Sequence, residues 1–119
     1  MKKILVIDDD KDILDSLSTI LEMLGYQTDI TTKGEETFQK VKEFKPDLII
    51  LDVLLAGKDG RHICKQLKTE KETKKIPVIM ISAHPSASQS VDEAGADDFV
   101  PKPFDIKVIE EKIQALLAN

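Results

Sequence analysis

The chain has 119 residues, 41% of them hydrophobic and 33% charged, with a formal net charge of −5. That suffices for one domain with a core of its own, residues 1–119, and is too apolar for disorder. The acidic balance argues against direct nucleic-acid binding, no apolar run reaches membrane-spanning length, and a single cysteine, Cys64, excludes an internal disulfide and fits a reducing cytoplasm.

Met1-Lys2-Lys3 leads straight into "ILVI" (4–7), a strand-length apolar run and not a signal peptide. Asp8, Asp9 and Asp10 follow at once, with Asp12 two residues on. Like charges so close cost about 4 kcal/mol per pair at an effective dielectric near 20. Asp10 and Asp12 have an ordinary use, as N-cap and first-turn acid of a helix. That helix carries Ile13, Leu14, Leu17, Ile20, Leu21 and Leu24 as one stripe and stops at Gly25. "TDIT" (28–31) predicts an outer strand, and Phe38 and Val41 mark a second helix. "LIIL" (48–51) reads as a strand covered on both faces and ends at Asp52. "GKDG" (57–60) makes Asp59 a turn residue.

Ile63, Cys64 and Leu67 mark a third helix, with the thiol facing the core, and "KTEKETKK" (68–75) is expected to be a solvated helix end and loop. "VIMI" (78–81) is a second fully covered strand, ending at Ser82. The stretch 84–98 predicts a short or mobile fourth helix. Its inner face is only Ala87, Val91 and Ala94, and Pro85 and three serines dilute it. "DFV" (98–100) is an outer strand, with Asp97 and Asp98 assigned to the loop before it and Lys102 just beyond. Asp105 caps a last helix bearing Ile106, Ile109, Ile113, Leu116 and Leu117.

Five strand–helix alternations predict an α/β fold: a parallel five-stranded, doubly wound sheet with helices on both faces. Function in such sheets lies beyond the carboxyl ends of the strands, where their order reverses. With strands one and three adjacent, as in the flavodoxin-like order 2-1-3-4-5, Asp8, Asp9 and Asp52 share one pocket, and Ser82 and Lys102 face its rim. Three carboxylates need a hard divalent cation, Mg²⁺ with Mn²⁺ as the alternative. A metal, a carboxylate, a hydroxyl and an ammonium together suit a phosphoryl group held on the carboxylate.

"VIDDD", "LIILDVLLAGKDG", "PVIMISA" and "GADDFVPKPF", in this order and with thirty residues from Asp52 to Ser82, resemble the receiver domain of the two-component response-regulator family across essentially the whole chain. The resemblance implies that Asp52 is the phospho-acceptor, that Asp9 binds Mg²⁺ directly and Asp8 mainly through water, and that the Leu54 backbone carbonyl is a further ligand. Ser82 and Lys102 would contact the phosphoryl group, and Phe99 would move inward as the hydroxyl swings. A cis Lys102-Pro103 bond would aim the ammonium inward. The implied donor is a histidine kinase or histidine phosphotransfer protein, and phosphorylation would alter binding of an output partner. The domain would assist its own phosphorylation without being an enzyme on an external substrate. Ala56 stands where the family very often has proline, and the Ser82–Lys102 interval is short, which supports a shortened fourth helix. Leu54 and His84, two residues after Asp52 and Ser82, would flank the water that hydrolyses the phosphoryl group, Leu54 hindering it and His84 tuning it.

Two other readings compete. A haloacid-dehalogenase-type phosphatase would use Asp8 as nucleophile within the D-x-D of Asp8-Asp9-Asp10. Against it, Lys11-Asp12 follows where a hydroxyl or small residue is usual, Lys102 comes after the acidic pair Asp97-Asp98 instead of before it, and the chain is short. A receiver-like module that binds partners without phosphorylation is the second. His62 reads as a surface residue.

Overall fold

The computed structural model describes residues 1–84 and 87–118, with only the backbone of Ala87 and Ser88. Five parallel strands, β1 (Lys3–Ile7), β2 (Gln27–Thr31), β3 (Leu48–Asp52), β4 (Val78–Ser82) and β5 (Asp98–Pro101), form one sheet in the order β2-β1-β3-β4-β5. The expected order is observed, and the central strands are those with unbroken apolar runs, as burial on both faces requires. Register pairs Ile7 with Leu51 and Asp52 with Ile81, so the carboxyl ends of β1, β3 and β4 lie side by side.

Side chains alternate between the two faces of the sheet. On one face Ile4, Val6, Leu48, Ile50, Ile79, Ile81 and Val100 meet α1 (Lys11–Met23) and α5 (Ile106–Leu117). On the other, Leu5, Ile7, Ile49, Leu51, Val78 and Met80 meet α2 (Thr37–Phe44), α3 (Gly60–Thr69) and α4 (Ala87–Glu93). The caps are as the sequence implies. Asp10 accepts from the Asp12 and Ile13 amides, Asp105 accepts from Lys107, and Gly25 takes φ +96 just past α1.

α4 is seven residues long, with Val91 and Ala94 buried at and just beyond its end. The expectations for Pro85, the three-serine run and the Ala87 side chain lie outside the described residues in part or whole. Three features differ from expectation. Leu54–Leu55 and Lys58–Asp59 form a small antiparallel ribbon after β3, turned by Gly57 at φ +72. Within 68–75, Lys68 and Thr73 are not solvated: Lys68 Nζ lies 2.6 Å from Asp97, and buried Thr73 donates to the Leu67 carbonyl at 2.6 Å. Asp98 opens β5 instead of preceding it and pairs with Lys112 at 2.7 Å.

Candidate functional site

Asp8 follows β1 directly and is fully buried; Asp9 beside it is exposed; Asp52 ends β3 and is 4% exposed. One carboxylate oxygen from each lies within 4.8 Å of the others. The adjacency of β1 and β3 produces this cluster, because both acids sit at the ends of paired strands. Asp8 Oδ1 accepts the Asp10 amide at 2.9 Å, which fixes the turn into α1.

Lys102 enters from the end of β5, just before a cis Lys102–Pro103 bond. Its Nζ stands 2.9 Å from Asp8 Oδ2 and 3.4 Å from Asp52 Oδ1. Lysine is therefore an internal counter-ion of the pocket, beside any metal that the three carboxylates hold. Burial works against the ammonium, but hydrogen bonding and charge from Asp8, then from Asp52, outweigh it and raise the lysine pKa. The Asp52 carboxyl is pushed up to about 6, first by burial and next by the Asp8 charge, with Lys102 pulling the other way. It is therefore largely ionised at neutral pH.

Three carboxylates facing one ammonium leave an excess of negative charge that a divalent cation would offset. Asp8 Oδ2 is buried, with the Lys102 ammonium 2.9 Å away as its partner. The donor set is all oxygen, as Mg²⁺ prefers, so the residues fit that ion.

Ser82 ends β4 and is buried. Its Oγ accepts the His84 amide at 3.0 Å, its carbonyl accepts the Lys102 amide at 2.8 Å, and its own hydroxyl hydrogen has no acceptor among the described residues. Phe99 does not join the carboxylates. It pairs in register with Met80, one alternation step back from Ser82 on the same face, and lines a cleft of about 440 Å³ with Val91, Ala96 and Asp98. Leu54 opens the ribbon and is 53% exposed, and His84 and His62 are exposed. Asp10 is spent as a helix cap and Asp8 is enclosed, so the D-x-D pair is not presented as a phosphatase would need. Cys64 is buried and its thiol is pushed up to about 11 by that burial, which leaves it inert.

Gly60, the last residue of the motif around Asp52, has a packing role there. A Cβ at this position would come within 1.9 Å of the Asp52 carbonyl oxygen, and its amide donates to the Val53 carbonyl at 2.7 Å. A glycine directly after the Asp59 cap is the signal that could have found it.

Residues 4–114 match the response regulator receiver domain family. The alkaline phosphatase synthesis transcriptional regulatory protein PhoP of Bacillus subtilis is 40% identical over 98% of this chain, which covers 48% of PhoP. The chain thus spans about half the length of the curated relatives it matches. The receiver domain of a signal transduction histidine kinase from Syntrophus aciditrophicus superposes with a TM-score of 0.91 at 35% identity, covering 99% of this chain and 91% of that one. Chemotaxis protein CheY4 of Vibrio cholerae gives 0.90 at 27% identity, with 98% and 99% covered.

Proposed function

The chain belongs to the response-regulator receiver family, whose members bind Mg²⁺ at an acidic pocket and take phosphoryl groups from histidine kinases, and from that premise we propose that Asp52 is its phospho-acceptor. The observation that carries this reading is the gathering of the Asp8, Asp9 and Asp52 carboxylates, with the Lys102 ammonium against Asp8 and Asp52. Asp8, Asp9 and the Leu54 carbonyl would hold Mg²⁺ beside Asp52. Bound there, the ion supplies positive charge against the charge of an incoming phosphoryl group.

An ionised Asp52 oxygen attacks phosphorus as the bond to the donor histidine nitrogen breaks. Lys102 is already within ion-pair distance of Asp52 and follows the new charge. The Ser82 hydroxyl has a hydrogen to donate to a phosphoryl oxygen, and its movement would make room for Phe99 on the same face. Burial of Asp52 and its neighbours limits the water that could hydrolyse the product, with Leu54 and His84 at the mouth. The protein so read modifies itself, acts in the cytoplasm, contacts no nucleic acid through this domain, and changes its affinity for an output partner.

Incubation with acetyl phosphate and MgCl₂, followed by intact-mass measurement, tests the assignment. One phosphoryl group is expected on the wild type and none on Asp52→Asn. A label that survives the substitution overturns it and directs attention to Asp8.

A further inference from the structure

Arg61 lies outside the carboxylate pocket, and its contacts join Asp59, the neighbour of Gly60, to α4. Asp59 caps α3 by accepting the Arg61 amide at 2.9 Å, and its carboxylate also grips the guanidinium, Nε to Oδ1 at 2.9 Å and Nη2 to Oδ2 at 2.7 Å. The remaining terminal nitrogen, Nη1, donates to Ser90 Oγ on α4 at 3.1 Å. A planar fork held on two sides fixes the direction of the third contact, which a lysine cannot do.

The base of this arrangement sits on the segment that follows Asp52. Gly60 packs so closely on the Asp52 carbonyl that only glycine fits, and its amide is bonded to Val53. Leu54 pairs with Asp59 across the ribbon. A displacement of residues 52–54 therefore carries Gly60, Asp59 and the guanidinium with it, and the reach to Ser90 is kept or lost accordingly.

We propose that Arg61 is a latch coupling α4 to the peptide segment after Asp52, by a route separate from Ser82 and Phe99. The proposal rests on the reading of Asp52 as phospho-acceptor. Arg61 is a positioning residue: it touches no reacting atom and acts through Asp59 and Ser90. Its half-exposed setting makes the latch modest in strength, which suits a contact that must release. The α4 region is also anchored by the buried Val91, which shares a core cluster with Val53, and by the Lys68–Asp97 pair.

Hydrogen exchange of the α4 amides, read by mass spectrometry over residues 89–96, tests it in wild type, Arg61→Gln, Ser90→Ala and the double variant. Each is measured unmodified and after acetyl phosphate with MgCl₂, with the intact mass followed in parallel. Each single substitution is expected to speed α4 exchange about three- to tenfold in the unmodified protein, and the double no further. The change in α4 exchange on phosphorylation should shrink in every variant, while the Asp52 label and the urea midpoint stay at wild-type values. Arg61→Lys, which keeps the charge and loses the fork, should behave as Arg61→Gln. Wild-type α4 exchange in both single variants and both states, or additive effects in the double, overturns the latch. A label that persists in Asp52→Asn overturns the acceptor reading alone, because exchange in the unmodified protein still decides the latch.

Discussion

Under α1 and α5 the sheet meets Leu14, Leu17, Leu21, Ile109 and Ile113, an apolar contact to which the Lys112–Asp98 pair is added. Under α4, Val91 and Ala94 are the buried apolar residues among those described, and polar contacts do much of the fastening: Arg61 to Ser90 and Lys68 to Asp97. Strand alternation puts Asp8 and Asp52 on the α1/α5 face and Ser82 and Phe99 on the α4 face. Full burial of a large apolar side chain contributes about 1.5–3 kcal/mol, whereas a half-exposed ion pair contributes about 0–1 kcal/mol. The carboxylates therefore stand on the stiffer support, which holds their mutual spacing. The groups proposed to read the phosphoryl state stand on the face that a small free energy can rearrange.

The largest expected effect breaks the stiff face. Leu17→Ala should lose about 2–5 kcal/mol of unfolding free energy, because Leu17 is almost wholly enclosed between α1 and the sheet. Val91→Ala on α4 should lose about half as much or less, from fewer methyl groups and a thinner surround. Urea denaturation of the two variants checks the contrast; equal losses would mean that the faces are equally well built.

A smaller effect probes what the dry face costs at its polar edge. Asp52 has a pKa of about 6 in the folded protein against an ordinary value of 3.8. Between those pH values the folded state holds a proton that the unfolded chain has released. Stability therefore falls as pH rises through that window, and the deficit is complete above it. Asp52→Asn removes the charge and keeps the shape. It should stabilise the protein by about 1–3 kcal/mol at pH 7.5 and by little at pH 3.5. Urea midpoints of both proteins at the two pH values measure this, and a gain independent of pH would assign it to packing instead of charge.

Much of this contrast is legible in the sequence. The unbroken runs at 48–51 and 78–81 require strands covered on both sides, and Leu14, Leu17 and Leu21 recur at helical spacing. The rule that parallel sheets work at their carboxyl ends then brings Asp8, Asp9 and Asp52 together. The thinness of α4 was visible in its few apolar residues. The ribbon at 54–59 was not, since strands of two residues are too short to show alternation. Nor were the partners of Lys68, Arg61 and Lys102. Periodicity says which face of an element is buried, but how far a long charged side chain reaches depends on elements remote in the chain. Lys68 and Asp97 are twenty-nine positions apart, so "KTEKETKK" read locally could only look solvated.

Lys68 supplies the finest test of the polar face. Its ammonium lies 2.6 Å from Asp97 Oδ2 and donates to the Ile76 carbonyl at 2.7 Å, while the same Asp97 oxygen accepts the Val78 amide at 2.8 Å. Gly95, at φ +89, rests against the lysine stem, where a Cβ would stand 3.3 Å from Cγ. One side chain thus ties the end of α3, the start of β4 and the turn out of α4. Lys68→Met keeps the stem and removes the ammonium. Because Asp97 is about one-third exposed, water replaces part of what is lost, and the global cost should be only about 0.5–1.5 kcal/mol. The distribution of that loss is the sharper quantity. Amide exchange should quicken at 95–97 and along the last turn of α4, with α1 unchanged, because nothing in the apolar face depends on this pair. Equal quickening in α1 and α4 would show that the two faces unfold as one unit, and the compliance assigned to α4 would then belong to the whole domain.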